Sequence, residues 1–168
     1  MDYSLKKMTQ QQAEEIAYQW HYPDEYRFYD MEADEEDLEE FLDADQRAED
    51  YYVVEKNGQL MGFFCFHPKQ HGKVEIGLGM KPEWTGKGKG LGFLQSGLQF
   101  VILNYRPSAI TLSVAAFNKR AIKLYTKAGF AETGTFMQNT NGGCYEFVSM
   151  AWSPDSQHRE NEETSKSQ

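Results

Sequence analysis

A glycine-rich turn constrains the fold of this chain more than any other segment. It follows an apolar stretch with strand periodicity at residues 73–80, precedes a stretch with helical periodicity, and reads Thr85, Gly86, Lys87, Gly88, Lys89, Gly90. Glycines let the main chain come close to a ligand, and amides at the start of a helix favour an anion. Lys87 and Lys89 add positive charge beside the turn. The segment therefore predicts a strand–turn–helix unit that holds a pyrophosphate.

The two common nucleotide-binding patterns do not fit this turn. No Gly-x-x-x-x-Gly-Lys-Ser/Thr sequence can be drawn through it. The dinucleotide pattern also fails, because its last glycine position holds Leu91 when counted from Gly86 and Phe93 when counted from Gly88. A nucleotide-dependent enzyme with an unusual loop stays open as an alternative. A flexible surface loop would leave the lysines and the flanking periodicity unexplained.

The remaining segments predict a mixed α/β fold. Thr9 is a plausible N-cap of a helix over residues 9–20, an acidic helix covers residues 35–42, and Asn57-Gly58 between two β-rich runs predicts a hairpin. Further strands are predicted at 73–80, 109–114, 131–136 and 145–151, and further helices at 90–104 and 119–128. We expect one domain over residues 1–152, with a mostly antiparallel central sheet flanked by helices.

Composition excludes several classes of protein. A net charge of −9 argues against binding to nucleic acid, and no apolar run approaches the roughly 20 residues of a membrane helix. The acidic runs are solvated faces or, on a sharper interpretation, attract a cationic partner. Residues 153–168 are polar and are predicted to be disordered. Cys65 and Cys144 lack a CxxC partner and are predicted to be buried free thiols, which favours the cytoplasm.

A second informative segment covers residues 112–130. A buried strand is predicted to end at Val114, and Asn118 is suited to cap the helix that follows. Gly129 is suited to end that helix. The inward face of the helix is predicted to contain Ala121, Leu124, Tyr125 and Ala128.

Together the two segments resemble the GNAT N-acetyltransferase superfamily. Its coenzyme A loop, Arg/Gln-x-x-Gly-x-Gly/Ala, is matched at Gly88 and Gly90 with Thr85 at the Arg/Gln position. Its Asn-x-x-Ala-x-x-x-Tyr-x-x-x-Gly-Phe segment is filled completely, by Asn118, Ala121, Tyr125, Gly129 and Phe130. The resemblance covers residues 51–152. It implies direct transfer of an acetyl group from acetyl-CoA to a primary amine through a tetrahedral intermediate. A non-catalytic acyl-CoA-binding domain of the same fold is the alternative.

The resemblance also assigns the cofactor-binding residues. It places the coenzyme A diphosphate at Thr85, Gly86, Lys87, Gly88, Lys89 and Gly90, and it places Asn118 against the pantetheine arm or the acceptor side of the cofactor. The arm is expected along the main chain at Leu78 and Met80, because Gly77 and Gly79 leave one face of this strand without side chains. Superfamily members commonly carry a bulge in this strand, which we expect near Leu78. Thr85 lacks the usual long polar side chain, for which Lys87 or the Thr85 hydroxyl would compensate.

Two side chains are candidates for proton transfer. The resemblance places Tyr125 near the thioester sulfur as general acid for the departing thiolate; its alternative is a packed helix tyrosine. Glu75 shares a strand face with Gly77 and Gly79 and is the candidate general base, acting through a water. The alternative for Glu75 is an exposed strand carboxylate.

The acceptor pocket of the superfamily usually draws on the N-terminal helices and the final hairpin. The aromatic residues available to line it here are Trp20, Tyr22, Tyr26, Phe28, Tyr29 and Tyr145, and His21, His67 and His71 are further candidate bases. No spacing among the histidines indicates a metal site. The amine is open: a protein N-terminus, a lysine, a polyamine, an antibiotic or a small metabolite. Either a monomer or a homodimer is expected.

Overall fold

A computed structural model describes residues 3–154. Within that range the chain forms seven strands: β1 (Tyr3–Lys7), β2 (Tyr51–Lys56), β3 (Gln59–Pro68), β4 (Lys73–Met80), β5 (Ala109–Ala115), β6 (Ala131–Thr140) and β7 (Gly143–Trp152). The helices are α1 (Gln10–Gln19), α2 (Glu35–Leu42), α3 (Ala44–Arg47), α4 (Gly90–Tyr105) and α5 (Lys119–Lys127). Short 3₁₀ turns cover Asp24–Tyr29, Met31–Ala33, Gln70–Gly72 and Pro82–Trp84. From residue 155 onward, the predicted tail lies outside the described residues.

The strands form a single sheet in the order β1-β2-β3-β4-β5-β7-β6. Every neighbouring pair is antiparallel except β4 and β5, which are parallel. The predicted fold class, a mixed and mostly antiparallel sheet flanked by helices, is therefore confirmed.

Local signals in the sequence set several of these boundaries. The Thr9 hydroxyl accepts a hydrogen bond from the amide of Gln12, whose side chain accepts one from the amide of Thr9, so α1 begins with a capping box. Asn57 and Gly58 join β2 to β3 with φ angles of 53° and 78°, the left-handed conformation that a two-residue hairpin needs.

Alternate side chains of β3 pack on opposite faces of the sheet. Phe64 and Phe66 point into the larger core, beneath α4 and α5, where Phe64 stacks on Phe93 with ring centroids 4.7 Å apart. Phe63 points to the other face and packs with residues of α1 and with Phe41 of α2. The sheet thus separates two cores, one beneath each layer of helices.

The sheet splits between its two central strands. β4 pairs with β5 only at residues 73–75 and 109–111, although β4 continues to Met80 and β5 to Ala115. Beyond the paired residues, β4 stays bonded to β3 and β5 stays bonded to β7. The gap that opens between the two strands is called the wedge below.

Two details differ from the sequence-based expectations. β3 pairs with β4 from Gly62–Met80 to Pro68–Val74 without a shift of register, so the bulge expected near Leu78 is absent from this ladder. Cys65 is buried as predicted, but Cys144 follows the turn between β6 and β7 and is exposed. No helix within residues 3–154 is long and apolar enough to cross a membrane.

Candidate active site

A cleft of about 610 Å³ lies at the open end of the wedge. One side of it, the loop half, is formed by the end of β4, the glycine loop (residues 85–90) and α5. The other side, the aromatic half, is formed by α1, the segment of residues 20–31, α2 and the hairpin of β6 and β7. The predicted cofactor-binding residues that line the cleft are Leu78, Met80, Thr85, Gly86, Gly88, Gly90, Asn118 and Tyr125.

The glycine loop has the backbone expected of an anion cradle. Gly86 and Gly88 have φ angles of 72° and 74°, which residues with a Cβ rarely adopt. The chain then enters α4, and within the described residues no side chain caps its first amides. Because uncapped amides at a helix start carry partial positive charge, this turn suits the diphosphate of coenzyme A.

The remaining side chains of the loop point elsewhere. The Thr85 hydroxyl donates to the carbonyl of Pro82 at 2.7 Å, so it closes the preceding turn. Lys87 and Lys89 hold their ammonium groups 5.7 and 5.4 Å from the ring centroid of Trp84 and do not line the cleft. The two groups expected to compensate for the missing Arg or Gln are thus engaged with neighbouring residues.

Arg120, which the sequence analysis did not select, lies beside this loop. It lines the cleft, and its Nη1 is 3.5 Å from the position that a Cβ on Gly86 would occupy. Its guanidinium carbon lies 4.5 Å from the ring centroid of Tyr26 in the aromatic half. Sequence spacing gives no sign of this contact, because the loop and α5 are joined only through the tertiary fold.

The main chain of β4 faces the wedge at the two residues assigned to the pantetheine arm. The amide of Lys81 donates to the Met61 carbonyl on β3, so the backbone groups of Met80 and Leu78, which alternate with those of Lys81, point away from β3. The carbonyl of Met80 accepts a 2.7 Å hydrogen bond from the Tyr22 hydroxyl. Leu78 therefore keeps its main-chain groups directed into the wedge, while Tyr22 covers the end of the strand.

Asn118 connects the two halves of the cleft. Its Oδ1 accepts from the amide of Ala121 at 3.1 Å, so it caps α5 as predicted, and its Nδ2 donates to the Tyr29 hydroxyl at 3.0 Å. Burial raises the pKa of Tyr29. Because a carboxamide nitrogen carries two hydrogens, Nδ2 keeps one donor for the predicted contact with the pantetheine arm.

Tyr125 lies on α5 with only 9% of its surface exposed. Burial, and to a lesser degree the neighbouring Tyr29, raises the pKa of its hydroxyl. Tyr125 is therefore a neutral phenol over the physiological pH range and can donate a proton inside the cleft.

Glu75 and the three histidines proposed as bases lie outside the cleft. Glu75 is exposed. It is the last residue of β4 that pairs with β5, and it lies opposite His67 on β3 and Thr111 on β5. His67 lies 3.7 Å from a carboxylate oxygen of Asp50. His21 makes a 3.2 Å contact with Asp30, which raises its pKa, and His71 occupies a loop with a φ of 62°. The structure does not bring these side chains to Tyr125.

Hydrogen bonds hold Phe28 and Asp34 to the turn between β6 and β7. Asn141 donates from its side chain to the carbonyl of Phe28 at 2.8 Å, and from its amide to Asp34 at 2.9 Å. Tyr145 packs on Phe28 with centroids 4.9 Å apart and does not itself line the cleft. The other aromatic residues predicted for this pocket do line it: Trp20, Tyr22, Tyr26, Phe28 and Tyr29.

Charge is segregated along the cleft. The cations that line it are Arg120, Lys123 and Lys127, all on α5 in the loop half, whereas the carboxylates are Asp30 and Asp37 in the aromatic half. Burial and the nearby carboxylates of Asp34, Glu40 and Glu36 raise the pKa of Asp37. One end of the cleft thus suits phosphate groups and the other suits a cation.

Solved structures share this fold. A chimera of the spermidine N-acetyltransferase SpeG from Vibrio cholerae and hSSAT is 21% identical, with 91% of this chain and 96% of that chain covered and a TM-score of 0.68. AAC(6')-Ib with ribostamycin and coenzyme A is 19% identical, with 95% and 97% covered and a TM-score of 0.72. No curated protein matches the sequence.

The model of the acetyltransferase (GNAT) family matches residues 14–130, more than half of the chain. The matched region contains the glycine loop, the wedge and most of the cleft walls described above. The predicted enzyme class, with acetyl-CoA as cosubstrate, is confirmed. The chain belongs to the acetyltransferase (GNAT) family.

Proposed function

We propose that this protein is an N-acetyltransferase that acts on a primary amine of a cationic acceptor. The observation that carries the proposal is the polarity of the cleft. Glycines and cations form the end at α4 and α5, and aromatic rings with two carboxylates form the other end. Tyr125 of α5 also lines the cleft. A phosphate-bearing donor and a cationic amine would therefore enter from opposite halves.

The chain offers a fitting site for acetyl-CoA, which when bound supplies the thioester that the amine attacks. The diphosphate would lie on the amides of the glycine loop, where two left-handed glycines remove side chains from the path of the ligand. The pantetheine arm would lie in the wedge and bond to the main chain at Leu78. By filling the gap between β4 and β5, the arm would form hydrogen bonds with backbone groups that otherwise lack a strand partner.

Tyr125 would protonate the departing thiolate. Burial raises the pKa of its hydroxyl, so the phenol carries its proton at neutral pH and has one to donate. Asn118 would position the acceptor side through Tyr29, because that hydrogen bond joins α5 to the aromatic half.

The mechanism also needs a general base that takes a proton from the attacking amine. We propose Glu75, but its exposed position outside the lining of the cleft means that it reaches the amine only through water. Glu75→Gln removes the proton acceptor and keeps the shape. If Glu75 is the base, kcat at neutral pH falls while coenzyme affinity is retained; an unchanged kcat would remove Glu75 from the mechanism.

The acceptor is proposed to be cationic because the aromatic half combines ring faces with two carboxylates, of which Asp30 also contacts His21 at 3.2 Å. Asp30 accepts from the amide of Tyr22 at 2.8 Å, and Asp37 lies in a field of like charge. A ring face and a carboxylate each attract an ammonium group. The names of similar proteins, a spermidine N-acetyltransferase and a protein bound to ribostamycin, agree with this class.

An acceptor screen tests the proposal directly. Polyamines, aminoglycosides and basic peptides are compared with uncharged amines of similar size, and turnover is followed by thiol release and product mass. We expect turnover with a cationic member of the panel, and we expect Asp37→Asn to raise its KM without changing the affinity for coenzyme A. Coenzyme binding without thiol release for any amine would instead favour the non-catalytic acyl-CoA-binding alternative.

Location and assembly are also proposals. The exposed free thiol of Cys144 fits a reducing compartment, which supports the cytoplasm.

The edge strand β6 exposes Phe136 and Met137, by 37% and 61%, and an exposed edge favours pairing with a second copy. Light scattering over a range of protein concentration separates a monomer from a homodimer.

A further inference from the structure

We propose that Arg120 binds the diphosphate of coenzyme A and that Tyr26, a residue of the aromatic half, positions it. This inference rests on the proposed function, because it assigns a further residue to the same coenzyme site. Arg120 would supply the long polar side chain that is missing at Thr85.

The loop alone leaves a diphosphate without a side-chain partner inside the cleft. The Thr85 hydroxyl is used by the Pro82 carbonyl, and both loop lysines lie against Trp84 outside the lining of the cleft. A cation that contacts a diphosphate on the loop amides would therefore come from another element.

Arg120 is the cation placed to supply it. Its Nη1 lies 3.5 Å from the Cβ position of Gly86, so the guanidinium stands directly beside the left-handed part of the loop. No ion pair of the described residues involves Arg120. A guanidinium presents planar, paired N–H donors that match phosphate oxygens, which a lysine cannot do.

Tyr26 holds the guanidinium in that place. The guanidinium carbon lies 4.5 Å from the ring centroid of Tyr26, a distance typical of a cation–π contact. A guanidinium that stacks on a ring keeps the N–H groups at its edge available for a phosphate. Tyr26 belongs to the 3₁₀ turn Asp24–Tyr29, which the β6–β7 turn fastens through Asn141 and Phe28. Part of the coenzyme site therefore belongs to the aromatic half of the cleft.

Calorimetric titration of the full chain with coenzyme A and with 3′-dephospho-coenzyme A tests the role of Arg120. We expect Arg120→Ala to weaken both ligands by about 10-fold or more, the effect of losing a hydrogen bond to a charged group. Arg120→Lys should restore only part of the affinity. The matched control is Lys119→Ala, which removes an exposed cation from the same helical turn outside the cleft.

The outcomes separate this inference from the proposed function. Wild-type protein that does not bind coenzyme A overturns both. Normal wild-type binding with equal affinity in Arg120→Ala and Lys119→Ala overturns the role of Arg120 alone. A loss confined to coenzyme A and absent with the dephospho form also overturns it, because Arg120 would then contact the 3′-phosphate.

The role of Tyr26 is tested by its conservative variant and by non-additivity. Tyr26→Phe keeps the ring and should retain coenzyme affinity, whereas Tyr26→Leu should weaken it. If Tyr26 acts through Arg120, Tyr26→Leu should cause no further loss in the Arg120→Ala background. Additive losses, or equal losses in the Phe and Leu variants, would overturn the positioning role; thermal unfolding verifies that each variant is folded.

Discussion

The hydroxyl of Tyr125 lies where the protein disfavours its ionised form, because burial raises its pKa and the ring is almost fully covered. Tyr125→Phe should leave the packing intact and remove the proton donor. We expect kcat to fall by about 10²-fold or more, the scale of general acid catalysis. Steady-state kinetics and coenzyme titration check the expectation.

The control for this prediction is a tyrosine of similar chemistry outside the cleft. Tyr18 is 51% exposed on α1, and Tyr18→Phe should have normal kinetics. Equal kcat for Tyr125→Phe and the wild type would show that Tyr125 serves packing alone.

Individual residues were predictable from sequence where one local pattern fixes them. Asn118 caps α5 as its spacing before Ala121 indicates, and the glycine loop shows the backbone angles that alternating glycines favour. Arg120 was missed because its partners, Gly86 and Tyr26, lie far away in the chain. The bond of Thr85 is different in kind, because its hydroxyl reaches the carbonyl of Pro82 only three residues earlier, within one turn.

At the scale of the element, Gly97 determines how closely α4 approaches the sheet. A Cβ at Gly97 would overlap the fully buried ring of Phe64. An alanine in an open helical position stabilises by roughly 0.5–1 kcal/mol, but here overpacking should reverse the sign. We expect Gly97→Ala to lower the free energy of unfolding by about 1–3 kcal/mol, measured by urea denaturation.

Gly134→Ala is the matched control, because nothing lies within 4 Å of the Cβ position at Gly134. Its free energy of unfolding should stay within about 0.5 kcal/mol of the wild type. A stabilised Gly97→Ala variant would show that α4 can move away from Phe64 without cost.

Asp34 joins two elements, and its loss should affect both stability and acceptor binding. Its Oδ1 caps α2 through the amide of Asp37, and its Oδ2 accepts from Thr140 and Asn141 in the β6–β7 turn. Asp34→Ala should lower Tm and raise the KM for the acceptor, with coenzyme affinity retained. Asp43→Ala, which removes the cap of the short helix α3, should leave the acceptor KM unchanged.

The pH dependence of this contribution has a definite sign. Hydrogen bonds from Asn141 and Asp37 lower the pKa of Asp34 below its ordinary value of 3.8. The stabilisation is therefore present above that value and is lost as the pH falls through the lowered, folded-state pKa. If the Tm of Asp34→Ala and of the wild type differed equally at neutral and strongly acidic pH, the carboxylate would not be the stabilising group.

The elements that the sequence predicted share strong periodicity or a clear cap. β1 was missed because it is only five residues long and alternates Tyr3 and Leu5 with polar residues at the edge of the sheet. β6 extends beyond its predicted end at residue 136 because pairing with β7, rather than apolar content, maintains it. Its exposure along the sheet edge leaves little hydrophobic signal to detect.

At the scale of the whole molecule, buried weak acids should make the fold sensitive to alkali. Burial raises the pKa of Tyr22, Tyr51 and Tyr125, and raises the pKa of Cys65 to about 11. Above about pH 10 the unfolded chain releases protons that the folded chain keeps. The free energy of unfolding should therefore be constant at neutral pH and fall steeply above that value.

Urea denaturation at increasing pH measures this fall, and absorbance of tyrosinate follows the ionisation. Tyr51→Phe should reduce the steepness, since one buried phenol is removed, and Tyr18→Phe should not. A free energy of unfolding that stays level through the alkaline range would contradict the burial of these hydroxyls.

The fold class and the order of most elements followed from the sequence, because each strand–turn–helix unit carries its own periodicity. The wedge did not, since nothing in β4 or β5 alone indicates that their pairing stops after three residues. The segregation of charge also required the fold, which brings Asp30 and Asp37 opposite the cations of α5.

The wedge has a mechanical consequence. The sheet consists of two ribbons, one of four strands and one of three, and a three-residue parallel seam is the only strand pairing between them within the described chain. Under force applied across the strands, the molecule should part first along this seam. The resistance comes from α4 and α5 on one side and from the bonds of Phe28 and Asp34 to the β6–β7 turn on the other. A pantetheine arm bound between the two ribbons would hold them together. Protein with acetyl-CoA bound should therefore unfold at a larger force than the free protein.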